Sequence, residues 1–220
     1  MLTRELESQS LPYLHLTDKV YQALQLMNDN HVTHLPIVEG DKYTGLISED
    51  DLLMAENDHA EISSLQQSFA NSAVKGHEHF LKAVQVAADN ALSVVPVINE
   101  EGELISTVAY NDLLKQASEF MSLNEPGGLI VLEMDSNQYS FNEISKLVET
   151  NDAQITQLNT SNDPETGIMQ VTIRINKPEV SDIIATFQRY EYNIKYFFGE
   201  ELYTNELKSN YDNLMNYLKF

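Results

Sequence analysis

TDKVYQALQLMNDNHVTHLPIVEGDKYTGLISEDDLL, running from Thr17 to Leu53, returns in altered form as HEHFLKAVQVAADNALSVVPVINEEGELISTVAYNDLL from His77 to Leu114. Ala23 aligns with Ala83, Asn30 with Asn90, Pro36 with Pro96, and Asp51-Leu52-Leu53 with Asp112-Leu113-Leu114. The offset is 60 residues up to Val38 and 61 from Tyr43 onward. The change falls where Glu39-Gly40-Asp41-Lys42 faces the longer Asn99-Glu100-Glu101-Gly102-Glu103. Gly and Asp in a short polar gap between apolar runs mark a hairpin, and hairpin loops absorb a change in length. Such a repeat is a structural unit and has to be found before elements are assigned.

Within each copy the order reads helix, strand, turn, strand, helix. Val20, Leu24 and Met27, and in the second copy Phe80, Val84 and Ala87, recur at helical spacing and face a core. Leu35-Pro36-Ile37-Val38 and Val95-Pro96-Val97-Ile98 read as short buried strands with a proline near the entrance. One copy buries too little apolar surface to stand alone, so the two pair into a pseudo-two-fold module with two equivalent clefts. The segment from Ile62 to Val74, apolar at Ile62, Leu65, Phe69 and Ala73, joins them as a helix running into a strand.

Within that repeat, Gly45-Leu46-Ile47-Ser48-Glu49-Asp50-Asp51 matches a glycine, two aliphatics, Ser/Thr, two residues, Asp signature. On these residues the first half resembles a tandem pair of CBS domains, the module of many nucleotide-regulated proteins. The resemblance implies that Ser48 and Asp51, at a strand-to-helix junction, bind the phosphate and ribose hydroxyls of an adenine nucleotide, and that Thr17, His34 and Pro36 flank the purine. The chemistry is reasonable: a hydroxyl at a helix start donates to a phosphate near free N–H groups, and a carboxylate accepts from a diol. The same two residues also suit plain capping of the following helix. In the second copy Ser106 replaces the glycine and Ala109 the Ser/Thr, leaving Asp112, so this cleft is expected to bind nucleotide weakly, bind something else, or stay empty. Glu49, Asp50 and Asp51 in a row disfavour a bare polyphosphate by about 1 kcal/mol per charge pair. A magnesium-bound nucleotide, a monophosphate or adenosylmethionine suffers less, so the ligand expected is an adenosine nucleotide or adenosylmethionine.

Asn124-Glu125-Pro126-Gly127-Gly128 breaks the chain. Beyond it, Leu129 to Met134 reads as a strand. Ser140-Phe141-Asn142-Glu143 then caps a helix to about Asn151, and Ala153 to Thr160 and Ile168 to Ile175 alternate as strands. Pro178 starts a second helix with Val180, Ile183, Ile184 and Phe187 on one face, and Tyr192 to Phe198 closes as a strand. The β-α-β-β-α-β order is the split βαβ, ferredoxin-like arrangement. After a CBS pair it resembles an ACT domain, and the chain as a whole is similar to CBS-ACT regulatory proteins of the acetoin-utilisation type. ACT domains hold amino acids at the turn after the first strand, often through a glycine. Asp135-Ser136-Asn137-Gln138-Tyr139 has none, which favours a dimerisation role for this domain. Thr204 caps a last helix with an apolar stripe at Leu207, Tyr211, Leu214, Met215 and Leu218. The fold expected is α/β and α+β: a tandem CBS pair over 1–122 (repeats near 1–58 and 62–120), an ACT-like ferredoxin-like domain over 128–200, and a C-terminal helix over 203–220.

Net charge restricts partners. The chain carries 13 Lys and Arg against 34 Asp and Glu, a formal charge of -21, and it is acidic in both halves. Phosphate backbones and anionic membranes repel it, so neither nucleic acid nor membrane is an expected partner. There is no cysteine. The first residues, Met1-Leu2-Thr3-Arg4-Glu5-Leu6-Glu7, are acidic where a secretory signal would be apolar, and both facts point to the cytoplasm.

His77-Glu78-His79 lacks a third ligand of suitable spacing and reads as loop, not as a metal site. No P-loop, dinucleotide fingerprint or nucleophile elbow is present, so no catalysis is expected. The reading is a cytoplasmic, homodimeric regulatory protein that senses an adenosine-type ligand and signals to a regulated protein partner. The alternative is a constitutive scaffold with degenerate, ligand-free clefts.

Overall fold

The computed structural model describes residues 1–6 and 11–199 and divides into two compact units, Met1–Ser118 and Glu119–Phe220. The helix expected over 203–220 lies outside the described residues.

The first unit is the repeat. Copy one contributes β1 (Leu14–His15), α1 (Val20–Asn30), β2 (His34–Glu39), β3 (Lys42–Ser48) and α2 (Glu49–Leu53). A 3-10 stretch, Ile62–Ser68, follows. Copy two supplies β4 (Val74–Lys75), α3 (Phe80–Asp89), β5 (Val94–Ile98), β6 (Leu104–Ala109) and α4 (Tyr110–Phe120). Each copy makes a three-stranded sheet, β1-β2-β3 and β4-β5-β6, in which the first pair is parallel and the second antiparallel. Both hairpins carry an irregularity at the same place, after Ile37 and after Val97.

Pro36 sits third in β2, opposite Leu46, and is tolerated for a specific reason. Leu46 exchanges both backbone hydrogen bonds with Ala70 at 2.8 Å, so the Pro36–Leu46 pair makes none of its own. The proline nitrogen therefore points away from β3, past the end of the two-residue β1, where no ladder needs a donor.

A single core joins the copies, running from Leu14, Val20 and Met27 through Ile37 and Ile47 to Phe80, Val97 and Leu113, all essentially without exposure. The hairpin tips also meet. Tyr43 N–H donates to Gly102 O at 2.9 Å, Leu104 N–H donates to Asp41 O at 3.1 Å, and the Lys42 ammonium donates to Glu101 O.

The N-terminal segment crosses between copies. Residues Glu61, Ile62 and Ser63 cap the β1–α1 turn of copy one: Ile62 N–H reaches Asp18 O and Ser63 N–H reaches Leu16 O, both at 2.9 Å. The equivalent turn of copy two is capped by Leu2, Thr3 and Arg4, with Thr3 N–H to Glu78 O at 2.8 Å and Arg4 N–H to Gly76 O at 3.1 Å. Thr3 is fully buried there, and its hydroxyl donates to Glu78 O at 2.9 Å. The first residues thus complete the second repeat.

The second unit comprises β7 (Leu129–Met134), α5 (Phe141–Glu149), β8 (Ile155–Asn162), β9 (Met169–Ile175), α6 (Ser181–Arg189) and β10 (Asn193–Phe198). The sheet order is β10-β7-β9-β8, antiparallel throughout, which is the split βαβ topology. Ser140 caps α5 by accepting from Glu143 N–H at 3.3 Å. Helix α6 starts at Ser181, three residues after the proline expected to open it. The delay turns Val180 inward, where it is fully buried with Ile130, Ile144, Ile173 and Phe187. Among the described residues no helix is long and apolar enough to cross a membrane.

Candidate functional site

Both strand-to-helix junctions of the first unit are built from the same frame. Thr33 O accepts from Glu49 N–H, and at the related position Ser93 O accepts from Tyr110 N–H, each at 2.8 Å. The residue just before β2 or β5 therefore holds the first N–H of α2 or α4. The two frames are tied together, because Thr33 N–H donates to Ser93 Oγ at 2.9 Å. His34 closes the tie: its Nδ1 accepts from Ser93 N–H at 3.3 Å and lies 3.1 Å from Thr33 Oγ1 and 3.2 Å from Ser93 Oγ. A backbone N–H can only donate, so Nδ1 keeps its lone pair and the neutral ring carries its proton on Nε2. Burial lowers the His34 pKa from its ordinary value, against the opposing fields of Asp51 and Asp50.

At the first junction Ser48 and Asp51 satisfy one another. Asp51 N–H donates to Ser48 Oγ at 3.1 Å, and the Ser48 hydroxyl donates to Asp51 Oδ2 at 2.5 Å. Ser48 is the N-cap of α2, and it pairs in register with His34 across β2 and β3. The structure thus brings Ser48, Asp51 and His34 together. Thr17 stands exposed in the β1–α1 turn and Pro36 is buried within β2. The signature glycine, Gly45, is required by packing: a Cβ there would lie 2.8 Å from Phe69 Cβ.

The second junction opens on a cavity of about 670 Å³. Of the six expected residues, Asp112 lines it. Ala109 puts no acceptor where Ser48 stands in the first copy, and Asp112 occupies the first turn of α4. Beside Asp112 lie Tyr110 and Asn111, with Thr33 and Ser93 from the tie and a wall of small side chains, Ala87, Ala88 and Ala91. His31 and Ala91, also lining it, end α1 and α3 in left-handed conformation, φ 55 and 52, which costs a non-glycine residue about 1 kcal/mol. Thr33, Ser93 and Tyr110 were not singled out from sequence. Their signal is the 60- and 61-residue offset, which puts a hydroxyl before both β2 and β5.

His77, Glu78 and His79 occupy the turn before α3. His77 Nδ1 is 2.6 Å from Glu100, which Lys75 Nζ also contacts at 2.6 Å. Lys75 holds the Glu100 carboxyl below its usual range. Among the described residues no group of three or more His, Asp or Glu side chains is placed to hold a metal ion.

Comparison with known proteins gives one match placed within the first unit and others that cover about half of the chain. The family model "CBS domain" matches residues 4–58. A CBS domain-containing protein of Dictyostelium discoideum is 30% identical over 129 residues, covering 52% of this chain and 89% of that protein. The inosine-5'-monophosphate dehydrogenase of Korarchaeum cryptofilum is 28% identical over 116 residues, 52% of this chain and 24% of the enzyme, so the match spans about a quarter of that relative. Among solved structures, a CBS domain pair/ACT domain protein of Thermotoga maritima aligns with a TM-score of 0.49 at 17% identity, over 54% of this chain and 98% of that one.

Proposed function

Since the chain belongs to the CBS-domain proteins, we propose that it is a non-enzymatic regulatory protein whose CBS pair binds an adenosine-containing ligand at the second junction and passes a change of shape to a partner. One observation carries this reading: the cavity where Asp112, Tyr110, Thr33 and Ser93 converge on an alanine wall. A concave cleft in which a few polar groups face an apolar wall is what small planar ligands need. The tie from Thr33 through Ser93 to His34 supplies the transmission, because a ligand touching Thr33 and Ser93 bears on the group that joins both copies. A ligand shifts shape only through differential affinity, and this contact is where the two shapes would differ. We read the second unit, with its split βαβ sheet, as an ACT-like domain that serves dimerisation.

The first junction favours a different use. With Ser48 and Asp51 closed on each other, it serves as a helix cap, as in a ligand-free scaffold.

The test is thermal melting with adenosine, adenosylmethionine, AMP and ATP, on the native protein and on Asp112→Ala and Asp51→Ala. Ligand at 100 times Kd adds about 2.7 kcal/mol of stability. That gain should vanish in Asp112→Ala and persist in Asp51→Ala. Flat melts for every compound would replace the sensor with the scaffold.

A further inference from the structure

Resting on the reading above, we infer that the second cleft takes a nucleoside carrying no phosphate, and discriminates against nucleotides. None of the 14 residues lining the cavity is Lys or Arg, and Asp112 is the one carboxylate among them. A phosphate entering it would find no lysine or arginine, the imidazole of His31 as the one basic side chain, and one fixed negative charge.

Two anchors at the helix start that a phosphate could use are missing or taken. Ala109 lacks the hydroxyl that Ser48 provides in the first copy. The first N–H of α4, on Tyr110, is bonded to Ser93 O at 2.8 Å. Asp112 lies in the first turn of that helix, so its carboxylate already occupies the electropositive end of the helix dipole.

What remains suits a nucleoside. Ala87, Ala88 and Ala91, with Leu92 and Val32, leave a shallow apolar wall for a flat ring. The half-exposed Tyr110 offers an aromatic face, and the two oxygens of Asp112 can accept both hydroxyls of a ribose diol. A positive charge on the ligand, such as a sulfonium, is welcome beside Asp112.

Isothermal titration of the full chain with adenosine, adenosylmethionine, AMP and ATP, at pH 8 where imidazoles are generally neutral and without magnesium, separates the possibilities. Adenosine and adenosylmethionine should bind about tenfold or more tighter than AMP and ATP. Asn111→Lys, which adds a cation at the cavity rim, should narrow or invert that ratio. If AMP or ATP binds as well as adenosine or better, the phosphate-free assignment falls and the sensor reading stands. If none of the four binds at millimolar concentration, both fall.

Discussion

His34 uses its Nδ1 lone pair on the Ser93 amide, and this makes the join between the copies sensitive to protons. Burial holds the His34 pKa below the ordinary imidazole value although Asp51 and Asp50 face it. A base with a depressed folded pKa binds fewer protons folded than unfolded. Its contribution is therefore complete above the unfolded value of about 6.5 and is lost as pH falls through the lower folded value. The protonated ring would also turn a second donor against the Ser93 N–H. We expect His34→Asn, whose amide oxygen can still accept from Ser93, to flatten the fall in melting temperature between pH 7 and pH 5. Equal slopes in the two proteins would remove His34 as the cause. At this scale the sequence was partly legible. Ser48 and Asp51 stand out through a family signature and His34 as a flanking position of the same resemblance, and the three lie together. The tie that His34 makes was not legible, because Thr33 and Ser93 are ordinary polar residues whose meaning comes from meeting across the copies.

Strand β3 shows how a single atom decides an element. Gly45 lies where the strand is crossed by the linker, and the exchange of hydrogen bonds between Leu46 and Ala70 requires Phe69 to pass close by. Gly45→Ala forces its Cβ into the 2.8 Å space beside Phe69 Cβ and should destabilise the first unit by about 1–3 kcal/mol. Urea denaturation measures this; an unchanged midpoint would mean the linker moves aside freely. The helices and strands were readable because period and repeat reinforce each other. The misplaced start of α6 was not, since Pro178 is compatible with a helix's first turn and only the burial of Val180 decides against it. The second cleft was legible through the repeat and Asp112, but most of its lining was not. Its lining comes from Leu11, two helix ends and the start of α4, which no local pattern brings together.

At the scale of the whole molecule, the described residues form two buried clusters, one spanning residues 6 to 113 and the other 130 to 187. Phe187, fully buried in the second, is a strong probe. Phe187→Ala should cost about 3–5 kcal/mol in that unit. Amide exchange should quicken across β7, β9 and β10, while the amides of Ile37 and Val97 keep their protection. Loss of protection in both units would show that they unfold as one.

The crossing of residues 2–4 to the second copy has a consequence for how the chain is made. Residues 2–4 leave the ribosome ahead of the turn to which they bond, about 75 residues later. At roughly 5–20 residues per second, several seconds pass before their partners exist. During that interval Thr3 and Arg4 lack their backbone partners, and copy one can gather its own strands and its own cap at Ile62. Copy two, by contrast, closes only when the earlier-made residues 2–4 return to it. The second copy, which supplies Asp112 and the alanine wall of the cavity, is thus the last part of the module to become complete.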